Sequence, residues 1–176
     1  MTTALLSLGS NLGDPYAQLQ AAHQFFAPWT VAASPIYRTA PWGVTNQPDF
    51  RNTALLVTDP HATPETWLQR AHTAETKAHR ERTQKWGPRT LDVDIIACWD
   101  TDSGTPYVQD DPHLTLPHPR ARERAFVLIP ALQVLTDAAP TSPLIPEFQQ
   151  ALEDLPATQR AGVRLDNPDE PLGGAP

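Results

Sequence analysis

Asp92 and Asp94 stand two residues apart in TLDVDIIA, residues 90–97, a stretch whose alternation predicts a β-strand. Residues at that spacing leave the same face of a strand, with backbone positions ~6.5–7 Å apart. Leu91, Val93 and Ile95 take the opposite face. Two carboxylates so placed can converge on one or two hard cations. Mg²⁺ favours one or two carboxylates together with substrate phosphates. A two-metal clamp sets its ions ~3.5–4 Å apart, a gap that a same-face pair can bridge. The bland alternative is a half-buried strand with a solvated polar face. Two aspartates in one short strand weigh against it, because aspartate is a poor strand former. The segment just before, HRERTQKWGPRT, carries Arg80, Arg82, Lys85 and Arg89. Guanidinium forks suit bidentate phosphate contacts, and Trp86 adds a flat face for an aromatic ring. Gly87-Pro88 is a tight-turn signal that aims Arg89 at the strand start. A solvated charged loop remains the alternative and suits Lys85 and Glu81 better than the arginines.

Charge narrows the ligand. The 176 residues hold 20 acids against 13 bases, a net charge of -7, which disfavours nucleic acid or an anionic membrane as the main partner. Nine bases nevertheless fall in two short stretches: Arg70, Lys77, Arg80, Arg82, Lys85 and Arg89, then Arg120, Arg122 and Arg124. Residues 92–111 hold six acids and no base. Cationic clusters beside a carboxylate pair suggest a small polyanion with a metal, or else a solvated helix end of mixed charge. Neither lysine sits in a GxxxxGK[ST] context, and SLGSNLGD is no GxGxxG fingerprint; its glycines read as a tight turn and helix cap. No histidine spacing suggests zinc. His23, His61 and His79 read as surface residues, whereas His118, between two prolines, precedes the second basic stretch. The single cysteine, Cys98, excludes an intrachain disulfide framework and any CxxC motif. Apolar runs fall far short of the ~18 residues of a membrane span. The first residues lack a basic leader, so a cytoplasmic setting is expected.

The elements that must position these residues are punctuated by 20 prolines. Residues 3–8 read as a buried strand, broken by 9–13. Asp14-Pro15 is a cap followed by proline at the first helical position, opening a helix to about Phe26. Strands follow at 30–38 and 50–58. Thr63-Pro64-Glu65 repeats the helix start, with Trp67, Ala71, Ala74 and Ala78 on one face, and the strand at 90–97 comes next. This order is βαββαβ, the ferredoxin-like pattern. A C-terminal αα(β) extension is expected: a short strand near Tyr107, helices within 124–136 and 145–155, and a strand at 163–165. The expected fold is α+β, an antiparallel-containing sheet with helices on both faces. One domain covers 1–165, and 166–176 form a loose tail. If the first two strands run one way and the next two the other, the connections 9–14, 38–49 and 79–89 share one end with Phe50, Asn52, Asp92 and Asp94. The last two connections exceed the usual ~4–6 residues, which favours function over linkage.

KWGPRTLDVDI with the preceding RER resembles the signature of the 6-hydroxymethyl-7,8-dihydropterin pyrophosphokinase family of folate biosynthesis. LGSNLGDP, YRTAPWGVTNQPDFRNTAL and LPHPRARERAFVLIPAL extend the resemblance in order across about residues 3–136. It implies an α/β sandwich with a ferredoxin-like core, and transfer of pyrophosphate from Mg-ATP to the pterin hydroxymethyl oxygen, releasing AMP. It further implies that Asp92 and Asp94 hold two Mg²⁺. Arg80 and Arg82 close over the phosphates, and Arg89 lies near nucleotide and transferred group. Glu75, Trp86, His118 and Arg124 lie on the ATP side with Arg82 and Arg89. Thr39, Trp42, Phe50 and Asn52 form the pterin pocket, with Phe126 as the second ring. Asp94 is the expected proton acceptor if a general base is used. Ala40, Trp42, His72, His79 and His113 depart from the family pattern. ATP and the pterin are the expected partners of a monomer, with neither nucleic acid nor membrane. Two rivals are a non-catalytic ferredoxin-like nucleotide-binding module and a metal-dependent nuclease, the latter disfavoured by the acidic charge.

Overall fold

The computed structural model describes residues 1–41, 46–78 and 90–166. Its centre is strand β1, Thr2–Ser10, nine residues almost entirely buried. Asp14 then ends the loop: its Oδ1 accepts from Ala17 N at 3.1 Å, and helix α1, Pro15–Phe26, follows. Strands β2, Thr30–Ala33, and β3, Tyr37–Thr39, both pair antiparallel with β4, Phe50–Asp59. A reciprocal Thr63–Thr66 capping box starts helix α2, Pro64–Lys77. Strand β5, Asp92–Asp100, lies on the other side of β1 from β4, antiparallel to it. A small hairpin of β6, Gln109–Asp110, and β7, Thr115–Leu116, leads to helices α3, Ala125–Ala138, α4, Leu144–Asp154, and α5, Ala157–Ala161. Strand β8, Val163–Leu165, closes the chain on β3, so the main sheet runs β5-β1-β4-β3-β8, with β2 also on β4.

Alternation along the strands builds two cores. Leu6, Leu8, Leu19, Phe26, Val57, Trp67, Val93 and Ile95 fill the face under α1 and α2. Leu5, Leu56, Ile96, Leu128, Leu135 and Phe148 fill the face under α3 and α4. Helices therefore cover both faces, as the sequence predicts. A bulge interrupts the alternation: Leu6 opposes Ile95 while Leu5 opposes Ala97, so Ile96 is an extra residue. Ile95 and Cys98 consequently share one core, three positions apart, while Ile96 joins the other. Among the described residues no helix is long and apolar enough to cross a membrane.

Several local expectations need correction. The run 30–38 is two strands. Ser34 interrupts it, its N donating to Ala54 O and its Oγ accepting from Ala54 N, both at 2.9 Å. Pro35, with no N–H, cannot continue the ladder. Near Tyr107 there is only an isolated Trp99–Pro106 bridge and a bond from Tyr107 N to Cys98 O; the paired residues are those of β6 and β7. Helix α5 is too short for periodicity to reveal. Gly9 lies inside β1 and breaks nothing; the turn glycine is Gly13, at φ +70°. His23 is half-buried, and burial lowers its pKa. Asp166, the first residue of the expected tail, is anchored: its N donates to Ile36 O, and its carboxylate meets Arg51 Nε at 2.8 Å in a buried pair, while 167–176 lie outside the described residues.

Candidate active site

The sheet gathers one row of residues at the end where β1 finishes. Across β3, β4, β1 and β5 the paired positions are Tyr37, Asn52, Gly9 and Asp92. Opposed residues leave the same face, so this row looks toward the α3 side. Ser7, with Ala54 on one side and Asp94 on the other, forms the next row on that face. The predicted same-face placement of Asp92 and Asp94 therefore holds. Both are half-buried, with buried Val93 between them turned to the opposite core.

Two further elements converge on Asp94. His118 N donates to Ile96 O at 2.8 Å, pinning the segment after β7 to the edge of β5. His118 Nδ1 accepts from Arg120 N at 3.2 Å, which leaves the proton of the neutral ring on Nε2, 3.9 Å from Asp94 Oδ2. Burial pushes the His118 pKa down. The Arg124 charge adds to this, Asp92 opposes it, and Arg120 adds a smaller push. Arg124, the residue at the start of α3, places Nη1 3.7 Å from Asp94 Oδ2 and its guanidinium carbon 5.8 Å from the Phe126 ring centre. Beneath the pair, buried Glu75 accepts from Val93 N at 2.9 Å through Oε1. Glu75 thus grips the backbone between the two aspartates. Its position four residues after Ala71, on the apolar face of α2, was a signal of burial.

On the other side of Gly9, Asn52 Nδ2 donates to Thr39 Oγ1 at 3.2 Å. Thr39 opposes Phe50 across β3 and β4, and Phe50 shares the face of Asn52. Phe126, in the first turn of α3, packs against the clusters that contain Leu128 and Tyr37, the latter being the neighbour of Asn52. Asn11, which sequence reasoning passed over, ties two connections together: its Nδ2 donates to Gln47 Oε1 at 2.8 Å and to Pro48 O at 3.0 Å. Thr39, Phe50, Asn52, Glu75, Asp92, Asp94, His118, Arg124 and Phe126 are thus all placed by the same end of the sheet. Trp42, His79, Arg80, Arg82, Lys85, Trp86 and Arg89 lie outside the described residues. Ala40, His72 and His113 are exposed. No cluster of three or more histidine, cysteine, aspartate or glutamate ligands forms among the described residues. A carboxylate pair alone suits a hard cation that completes its shell with phosphate oxygens and water.

A family model described as 7,8-dihydro-6-hydroxymethylpterin-pyrophosphokinase matches residues 5–136. A 2-amino-4-hydroxy-6-hydroxymethyldihydropteridine pyrophosphokinase of Mycobacterium tuberculosis is 44% identical over 172 residues, covering 96% of this chain and 92% of that protein. The enzyme of the same name from Mycobacterium leprae is 44% identical over 172 residues, covering 95% of this chain and 90% of its own. Among solved structures, an HPPK-DHPS in complex with substrates superposes with a TM-score of 0.54 at 12% identity, covering 86% of this chain. The chain spans 43% of that larger protein, a likeness of fold alone.

Proposed function

Because this chain belongs to the 7,8-dihydro-6-hydroxymethylpterin-pyrophosphokinase family, we propose that the row from Tyr37 to Asp94 is where its reaction takes place. The chain is a 2-amino-4-hydroxy-6-hydroxymethyldihydropteridine pyrophosphokinase, an enzyme of folate biosynthesis. The reaction takes pyrophosphate from ATP to the hydroxymethyl oxygen of 6-hydroxymethyl-7,8-dihydropterin and releases AMP. The observation that carries the siting is the placement of Asp92 and Asp94 on one face, two strands from Asn52 and Phe50.

In this reading Asp92 and Asp94 would hold two Mg²⁺, which would supply positive charge against the triphosphate. Glu75 keeps the two carboxylates aligned by holding Val93 N–H. Arg124 and the Nε2–H of His118 face the same carboxylate and are placed to meet phosphate oxygens as donors. Phe50 and Phe126 stack on the pterin. Asn52, with Nδ2 on Thr39, offers Oδ1 to the pterin N–H groups, and Trp42 is read as part of the same pocket. Arg80, Arg82, Trp86 and Arg89 act on ATP and on charge developing at the transferred group; Arg82→Ala should lower kcat more than it weakens ATP binding. Asp94 takes the hydroxymethyl proton if a carboxylate does. We read the strand order β5-β1-β4-β3 with the helices between as a ferredoxin-like core, residues after it as a C-terminal extension, and the whole as one domain acting as a monomer. A cytoplasmic setting belongs to the same reading.

The test is to incubate the protein with Mg-ATP and 6-hydroxymethyl-7,8-dihydropterin and separate the nucleotides by ion exchange. AMP should form only when the pterin is present. Stoichiometric ADP would overturn the reading, AMP without pterin would mean a hydrolase, and ATP binding with no product would favour a binding module.

A further inference from the structure

Gly9 occupies the position between Asn52 and Asp92 in the row that crosses the sheet. Glycine in the interior of a central strand is unfavourable, contributing no side chain to packing and losing more entropy on ordering. Neither a turn nor a positive φ accounts for it here, since those belong to Gly13 and Gly104 among the described residues. What a side chain would meet does account for it. A Cβ on Gly9 would lie 3.0 Å from Asn52 Oδ1 and 3.9 Å from the Arg51 carbonyl oxygen. Asn52 is buried, so its carboxamide has little room to give way. Its other end is already committed, Nδ2 donating to Thr39 Oγ1. Swinging Oδ1 away from a methyl group would turn the amide plane and pull Nδ2 off Thr39.

We propose that Gly9 is a positioning residue for the pterin, holding no contact of its own but leaving the space in which Asn52 presents its carboxamide oxygen. The proposal rests on the pterin-site reading above. It assigns to the first glycine of SLGSNLGD a role in substrate selection rather than in chain reversal.

Wild type, Gly9→Ala, Asn52→Ala and the double variant are compared by AMP formation, with pterin binding followed by calorimetry. Gly9→Ala should raise the pterin KM about tenfold or more while the ATP KM stays within about twofold. In the Asn52→Ala background the same change should add less than about twofold, because the atom that the new Cβ meets is gone. An unchanged pterin KM, equal losses for both substrates, or full additivity with Asn52→Ala would each overturn the proposal. Should Gly9→Ala fail to fold, the double variant should recover folding; a double variant that also fails would refute the contact. Wild type separates the two levels: no AMP from wild type sinks the site reading, whereas normal wild-type turnover with an indifferent Gly9→Ala sinks this inference alone.

Discussion

Asp94 is touched from three directions: by the β5 backbone that Glu75 holds, by the ring of His118 and by the guanidinium of Arg124. Asp92→Ala and Asp94→Ala should each reduce kcat about a thousandfold or more, since a metal supplies several kcal/mol of charge stabilisation. Thermal unfolding should show both variants folded, because both side chains are only half-buried. A folded variant with wild-type turnover would refute the assignment. Cys98 is a contrasting residue. Burial, helped by the charge of Glu65, pushes its thiol up to about 12, so it remains protonated at neutral pH. A chromogenic disulfide reagent should label it only after denaturation; stoichiometric labelling of the native protein would contradict its burial. The aspartate pair was legible because a strand has a period of two. For Glu75 the resemblance implied a place on the nucleotide side, whereas its grip on Val93 N–H was not legible. A side chain that bonds to a backbone leaves no partner motif in the sequence.

At the level of elements, the first residues of β4 carry opposite duties on opposite faces. Phe50 and Asn52 look toward the α3 side, while Arg51 between them turns to the other face, its guanidinium carbon 5.8 Å from the Tyr16 ring centre. There Arg51 meets Asp166, so the last described residue anchors the strand that bears Phe50 and Asn52. Asp166→Ala should destabilise by about 3–5 kcal/mol, the cost of leaving a buried charge without its partner. Urea unfolding showing a loss under about 1 kcal/mol would mean that the pair contributes little. Phe50→Ala should weaken pterin binding about tenfold with ATP affinity nearly unchanged, since ring stacking exceeds simple area burial. Equal losses in a calorimetric titration would mislocate the pocket. The longer strands and helices and their order were readable from periodicity and from the Asp14-Pro15 and Thr63-Pro64 starts. The break at Ser34, the bulge at Ile96 and the anchoring of Asp166 were not. Each depends on a partner distant in sequence: Ala54, Leu6 and Arg51 respectively.

For the whole molecule, the sheet separates two cores, and the candidate site opens on one of them only. The far end of β4 has its own cluster. Asp59 accepts from His61 N at 2.8 Å and from Arg70 Nη2 at 2.6 Å, and Arg70 lies 3.7 Å from the Trp29 ring centre and 4.6 Å from that of Trp67. The His61 N–H first, and then Arg70, hold the Asp59 carboxyl below its usual 3.8 against the opposing effect of burial. Its stabilising contribution is therefore complete above that value and lost as pH falls through the lower folded value. Asp59→Asn should flatten the acid limb of stability below pH 3.8 and lower stability at neutrality. Urea unfolding at a series of pH values checks this, and an unchanged acid limb would refute it. Phe50 and Asp59 are the two ends of the ten-residue β4, about 30 Å apart along the strand. The indoles of Trp29 and Trp67, 6.2 Å apart and crossed at 85°, are close enough for their electronic transitions to couple. That pair gives the end of the sheet remote from the candidate site a circular-dichroism signature of its own, one that should vanish on unfolding and stay silent while the pterin is titrated.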